Sequence, residues 1–186
     1  PTEYFLTGEF TITFNREADY WLDAMQIERT EFDLQALTSN LSHYQGELLP
    51  GFYEDWVVLE RERIHSIFDS RMEQLVAQLI TGERWTVVQE QAERWLSLGN
   101  TTLEPAYRAL LLAHGARGDM AKVSSIYQRC ISELDEQFGL EPSPETRALY
   151  DGLLKGSHIP ARSAQPSGTI TFLFTDIEES TNLLDK

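Results

Sequence analysis

GERWTVVQEQAERWLSLG, residues 82–99, and GDMAKVSSIYQRCISELDEQFG, residues 118–139, decide the fold. Each opens on a glycine followed by an acid and continues as an amphipathic run that closes on another glycine. In the first, Trp85, Val88, Ala92, Trp95 and Leu96 recur at three- and four-residue spacing; in the second, Val123, Ile126, Tyr127, Cys130, Ile131, Leu134 and Phe138 do so. That spacing puts them on one side of a helix, which must be buried. A shift of 36 residues lays Gly82-Glu83 on Gly118-Asp119, Val87 on Val123, Trp95 on Ile131 and Leu98 on Leu134. Repeated helical hairpins of about 34 residues stack on one another, because a single hairpin leaves one face uncovered.

The same periodicity extends to both sides. A long helix is expected from about Trp56 to Thr81, with Ile64, Ile67, Phe68, Met72, Leu75 and Leu79 inward. Gly82 would end it in the left-handed conformation that lacks strain only for glycine. Thr101 or Thr102 would cap a helix over residues 103–116, with Glu104 favourable in its first turn. Asp119 would cap the next helix. After Gly139, Ser143-Pro144-Glu145 reads as a cap, a proline at the first helical position and an acid beside the dipole. Upstream, a helical stripe from about Glu28 uses Phe32, Ala36, Leu37 and Leu41. The segment YQGELLPGFYEDW, residues 44–56, interrupts it as a loop.

The two ends of the chain read as strands. Residues 4–6 and 9–14 flank Thr7-Gly8, which predicts a hairpin with glycine at positive φ. At the other end GTITFLFTDIEES, residues 168–180, places Ile170, Phe172 and Phe174 on one face and Thr169, Thr171, Leu173 and Thr175 on the other. Between lies GSHIPARSAQPSG, residues 156–168, a flexible or extended linker by its glycine and proline content. An edge of the N-terminal hairpin offers the isolated C-terminal strand a place to pair. The fold expected is mainly α, as stacked antiparallel helix pairs, with a short N-terminal β-hairpin and a lone C-terminal β-strand.

Composition limits the function. The 186 residues carry 30 acids against 15 Lys and Arg, a net charge of −15. Phosphate binding needs clustered cations, so this segment is a poor nucleic-acid binder. The longest apolar run, residues 109–113, is too short for the ~20 residues that cross a bilayer. The first ten residues lack the cationic start and apolar stretch of a secretory signal. One cysteine, Cys130, forms no internal disulfide and suits a reducing compartment. A cytoplasmic location is expected.

Few residues suggest chemistry. His43, His65, His114 and His158 lack metal-ligand spacing, ERER at 60–63 reads as a solvated helix face, and Cys130 lies on an apolar stripe as an inert thiol. Trp85 and Trp95 read as core. Tyr53, Asp55 and Trp56, where a loop enters a helix, are candidate partner-binding residues, although packing is the commoner role for such aromatics. No Ser–His–acid or Cys–His arrangement and no phosphate-cradling glycine loop is detectable.

The quoted helices, with GELLPGFYEDWVVLERERI at 46–64 and ELDEQFGLEPSPETRALY at 133–150, resemble the bacterial transcriptional activator domain of antibiotic regulatory proteins. That resemblance covers about residues 23–154 and implies a tetratricopeptide-like domain over 23–155. In that family a winged-helix DNA-binding domain comes first; residues 1–22 are similar to its last hairpin and hinge. DNA contact is thereby implied for a parent protein. GTITFLFTDIEEST is in turn similar to the opening of class III nucleotidyl cyclase domains, which implies the start of such a domain over 169–186. The resemblance makes Asp176, with the Ile177 carbonyl, a ligand of divalent Mg or Mn. Glu179 stands where that family has glycine, and the remaining catalytic residues of the family lie further downstream, so no catalysis and no cofactor are expected of this chain.

Three functions follow. The first is a non-catalytic interaction module that couples a winged helix to other protein domains, RNA polymerase among them. The second is the regulatory domain of a cyclase beginning near Gly168. The third is a generic peptide-binding helical scaffold. Oligomeric state is open.

Overall fold

The two quoted segments form equivalent helices, each the second arm of a helical hairpin, one residue out of the register that the glycines suggest. The computed structural model describes residues 4–29, 33–99 and 104–156. Within them two strands, β1 (Phe5–Thr7) and β2 (Ile12–Phe14), precede seven helices: α1 (Asp23–Glu28), α2 (Leu34–Ser42), α3 (Asp55–Thr81), α4 (Trp85–Leu98), α5 (Glu104–Ala116), α6 (Met120–Phe138) and α7 (Pro144–Leu154). The turn between α3 and α4 repeats between α5 and α6 at a spacing of 35 residues. Arg84 N–H donates to Leu79 O at 3.0 Å, and Asp119 N–H to His114 O at 3.1 Å. Glu83 N–H donates to Ile80 O at 3.0 Å, as Gly118 N–H does to Gly115 O at 2.9 Å. Glu83, at φ 52°, therefore matches Gly118, at φ 72°. In this register buried Val88 falls on buried Val123 and buried Trp95 on buried Cys130. The 36-residue alignment is corrected accordingly.

Gly82 consequently does not take the left-handed role expected of it. It sits at φ −84°, ψ 6°, and the strain passes to Glu83. Gly139 does take that role, at φ 65°, ψ 31°. Ser143 caps α7 through Thr146 N–H, with Pro144 following as read from sequence. Asp119 caps α6 by accepting from Lys122 N–H. The proposed caps Thr101 and Thr102 lie outside the described residues.

Helices pack in chain order, α3 on α4, α4 on α5, α5 on α6 and α6 on α7, while α3 also touches α5 and α5 touches α7. The result is a layer of α3, α5 and α7, with α4 and α6 on its other side. The core threads both layers through Phe68, Met72, Leu75, Val88, Ala92, Trp95, Tyr107, Leu110, Val123 and Cys130. Each large buried side chain contributes roughly 1.5–3 kcal/mol by leaving water.

Glu104 is more than a dipole partner. Its Oε2 accepts from Ser143 N at 2.9 Å, Ser143 Oγ at 2.7 Å and Thr146 Oγ1 at 2.5 Å, tying α5 to the start of α7. Burial pushes its carboxyl pKa up, but the Thr146 and Ser143 hydrogen bonds and the Arg108 charge outweigh that and hold it low. Further along the same pair of helices, a Cβ on Gly115 would stand 2.5 Å from Leu153 Cδ2, so glycine there permits close approach.

The N-terminal region departs from expectation. A short helix, α1, precedes the stripe expected from Glu28, because Gln26 and Ile27 find cover, and α1 packs on α3 and α2. Helix α2 starts at Leu34, with the Asp33 carboxylate accepting from Gln35 and Ala36 N–H; Phe32 lies outside the described residues. The hairpin pairs Phe5 with Phe14, Leu6 with Thr13 and Thr7 with Ile12. Its connection is the four residues 8–11, closed by Gly8 N–H to Thr11 O at 2.8 Å. Gly8 is not at positive φ. A Cβ there would meet Thr11 Oγ1 at 2.8 Å, so space rather than handedness favours glycine. Neither strand packs on a described helix. The linker beyond Gly156 and the C-terminal strand lie outside the described residues, as does any pairing of that strand with the hairpin.

Candidate docking surface

The loop between α2 and α3 is anchored at both ends, which leaves its apolar side chains outward. At its start Tyr44 stacks on Phe68, ring centroids 4.1 Å apart and 18° from parallel. Tyr44 OH bonds His65 Nδ1 at 3.0 Å. Burial, followed by the Asp69 and Glu47 charges, raises the phenol pKa. His65 Nε2 lies 3.4 Å from Asp69 Oδ2 without making a hydrogen bond. Asp69 Oδ1 accepts from Trp95 Nε1 at 2.8 Å. Arg94 Nη2 donates to the carbonyls of Leu41 and Tyr44, 2.8 Å each. This chain of groups joins the loop to α3 and α4 through the core, where it serves packing.

At its far end one side chain organises the loop. Arg61 donates from Nε to Leu48 O at 2.9 Å, and from Nη2 to Leu49 O at 2.8 Å and Phe52 O at 3.2 Å. Glu47 adds charge at 3.5 Å. These bonds hold a backbone that needs Gly46 at φ 147°, Leu49 at φ 48° and Gly51 at φ 88°. ERER is thus only half a solvated face. Arg63 does lie outward, paired with Glu60 and Glu28, whereas Arg61 turns under the loop.

What the clamp presents is apolar. Tyr53 is 80% exposed, Leu59 66%, Trp56 61% and Phe52 53%. Val57, between them in sequence, is fully buried. Trp56 and Leu59 are three residues apart on α3 and so lie side by side. The packing role expected of Tyr53 and Trp56 is therefore corrected: both face solvent, as does Asp55 in the first turn of α3. Of the exposed large hydrophobics among the described residues, all but Phe138, Leu140 and Leu154 precede residue 60. Exposed apolar side chains thus concentrate before residue 60, and Phe52, Tyr53, Trp56 and Leu59 are the ones that follow one another where the loop enters α3.

The other singled-out residues have surroundings of their own, and His114 Nδ1 is buried without a hydrogen-bond partner among the described residues. His43 meets Trp21 edge to face at 5.1 Å, and His114 is buried 3.9 Å from Asp119. His158 lies outside the described residues. Trp95 is core and Trp85 packs against it from partial exposure. Cys130 is fully buried, and desolvation pushes its thiol pKa up to about 12. Among the described residues no three of His, Cys, Asp and Glu gather as a metal set. Surface hollows beside Ala77 and Gly82 and beside Ser66 and Gln74 are open to solvent. No helix among the described residues is long and apolar enough to cross a membrane. Asp176 and Ile177 lie outside the described residues.

Residues 13–154 match the family model described as "bacterial transcriptional activator domain", well over half of the chain. No curated protein matches the chain significantly.

Proposed function

We propose, from the premise that the chain belongs to the bacterial transcriptional activator domain family, that it is a non-catalytic interaction module of a multidomain cytoplasmic regulator. The family match over residues 13–154 carries this reading. In it, the stacked helices hold a winged-helix DNA-binding domain, of which β1 and β2 are the last strands, and offer the surface around Tyr53, Asp55 and Trp56 to another protein domain or to RNA polymerase. The uncovered apolar side chains of the hairpin, Phe5, Phe10 and Ile12 among them, suit a strand pair that completes a neighbouring fold. Rigid presentation supports the docking role, because a surface fixed before binding loses little entropy on association.

The test is removal of residues 23–154 from the parent regulator. Transcription from its promoter should be lost while binding of the parent to promoter DNA persists. Unchanged transcription would overturn the reading.

A further inference from the structure

The docking surface carries an acidic rim whose cations are already engaged. Across residues 46–63 the acids are Glu47, Glu54, Asp55, Glu60 and Glu62, against Arg61 and Arg63 alone. Arg61 is occupied by three carbonyls and Glu47. Arg63 is occupied by Glu60 and Glu28. Glu54, Asp55 and Glu62 are exposed and have no cationic partner among the described residues. The apolar ridge of Phe52, Tyr53, Trp56 and Leu59 is thus bordered by carboxylates that a partner must face.

We propose that the occupant of this surface is a cationic amphipathic polypeptide segment, in which Lys or Arg flanks aliphatic or aromatic side chains. The proposal rests on the docking reading above and adds the chemistry of the partner. Aromatic anchors such as Tyr53 and Trp56 supply most of the affinity of a small interface once they are desolvated. A guanidinium laid on the Trp56 indole gains a cation–π contact, and the rim both attracts cations and rejects wrong partners. A second copy would bring the same carboxylates against one another across a two-fold axis. An anionic lipid surface or a nucleic acid would meet like charge at once.

A random dodecapeptide display library panned on the whole chain tests this. Two variants serve as counter-targets, Tyr53→Ala/Trp56→Ala and Glu54→Gln/Asp55→Asn/Glu62→Gln, each checked for unchanged helicity by circular dichroism. Enriched peptides should combine Lys or Arg with apolar residues, bind about tenfold or more weakly to either variant, and weaken as salt rises. Enrichment of acidic or neutral peptides, or equal binding to the charge-neutralised variant, would overturn the cationic occupant while leaving the interaction-module reading, which stands or falls on transcription in the parent. Absence of any peptide that depends on Tyr53 and Trp56 would also overturn it. So would self-association in sedimentation that disappears in Tyr53→Ala/Trp56→Ala, in favour of a second copy.

Discussion

Moving one glycine by a single residue should stabilise this protein. Glu83 holds φ 52° in the turn from α3 to α4, where its repeat partner Gly118 holds φ 72° without a Cβ. A left-handed conformation costs an L-residue ~1–2 kcal/mol, and the extra chain entropy that glycine loses on folding offsets roughly 0.5–1 kcal/mol of that. Glu83 is exposed and its side chain is not needed for the turn. Glu83→Gly should therefore stabilise by about 0.5–1 kcal/mol, and Gly118→Ala should destabilise by about 1 kcal/mol. At Gly82 the reverse applies, since φ is −84° and the nearest atom to an added Cβ is Gln78 O at 3.5 Å. Gly82→Ala should gain about 0.4–1 kcal/mol by restricting the unfolded chain. The double variant Gly82→Ala/Glu83→Gly should be the most stable of the set. Urea unfolding followed by helix circular dichroism reads these values as shifts in midpoint at constant slope. Destabilisation by Glu83→Gly together with an indifferent Gly118→Ala would refute the 35-residue equivalence of the two turns.

Three further outcomes are expected. Glu104→Ala removes the acceptor for Ser143 and the fully buried Thr146 and should cost roughly 2–3 kcal/mol at neutral pH. Because the folded-state pKa of Glu104 is lowered, its contribution is present above the ordinary carboxylate range and lost as pH falls through the depressed value; Glu104→Gln should approach wild type in urea midpoint on acidification. Arg61→Ala frees the three loop carbonyls, so limited proteolysis should cut residues 47–53 faster while the helices stay protected; equal cleavage of the two proteins would contradict the clamp. Cys130, buried with a thiol pKa pushed up to about 12, should resist iodoacetamide at pH 8 until urea unfolds the chain, read by mass spectrometry.

Much of the stack was legible because its signals are local. Ser143-Pro144-Glu145, Asp119 and the glycine at 139 each declare a helix end within a few residues, and the apolar spacing on α3, α4 and α6 declares the buried face. Gly82 misled for a physical reason: a glycine near a helix end invites the left-handed role, yet the turn closes through Glu83 N–H to Ile80 O and Arg84 N–H to Leu79 O, which puts that conformation one residue later, on a glutamate. Helix α1 spans six residues, too few to show periodicity, and exists through its contacts with α2 and α3. The tying roles of Arg61 and Glu104, read in sequence only as a solvated face and a dipole partner, escaped because their partners are carbonyls or residues far along the chain, Ser143 lying 39 positions from Glu104. Tyr53 and Trp56 stood out in sequence, but only the loop's anchoring distinguishes presented aromatics from packed ones.

We propose that this domain docks through the ridge of Phe52, Tyr53, Trp56 and Leu59, whose loop portion Arg61 holds in place. The most direct measurement is promoter output of the parent regulator carrying Tyr53→Ala/Trp56→Ala, alongside its DNA affinity and thermal stability. Tyr53 and Trp56 are 80% and 61% exposed, so truncating them should cost far less than emptying a core position and leave the fold intact, which the thermal melt verifies. Transcription should fall to the level of the parent lacking residues 23–154, with DNA binding retained. Full transcription from the folded variant would rule out docking through this ridge.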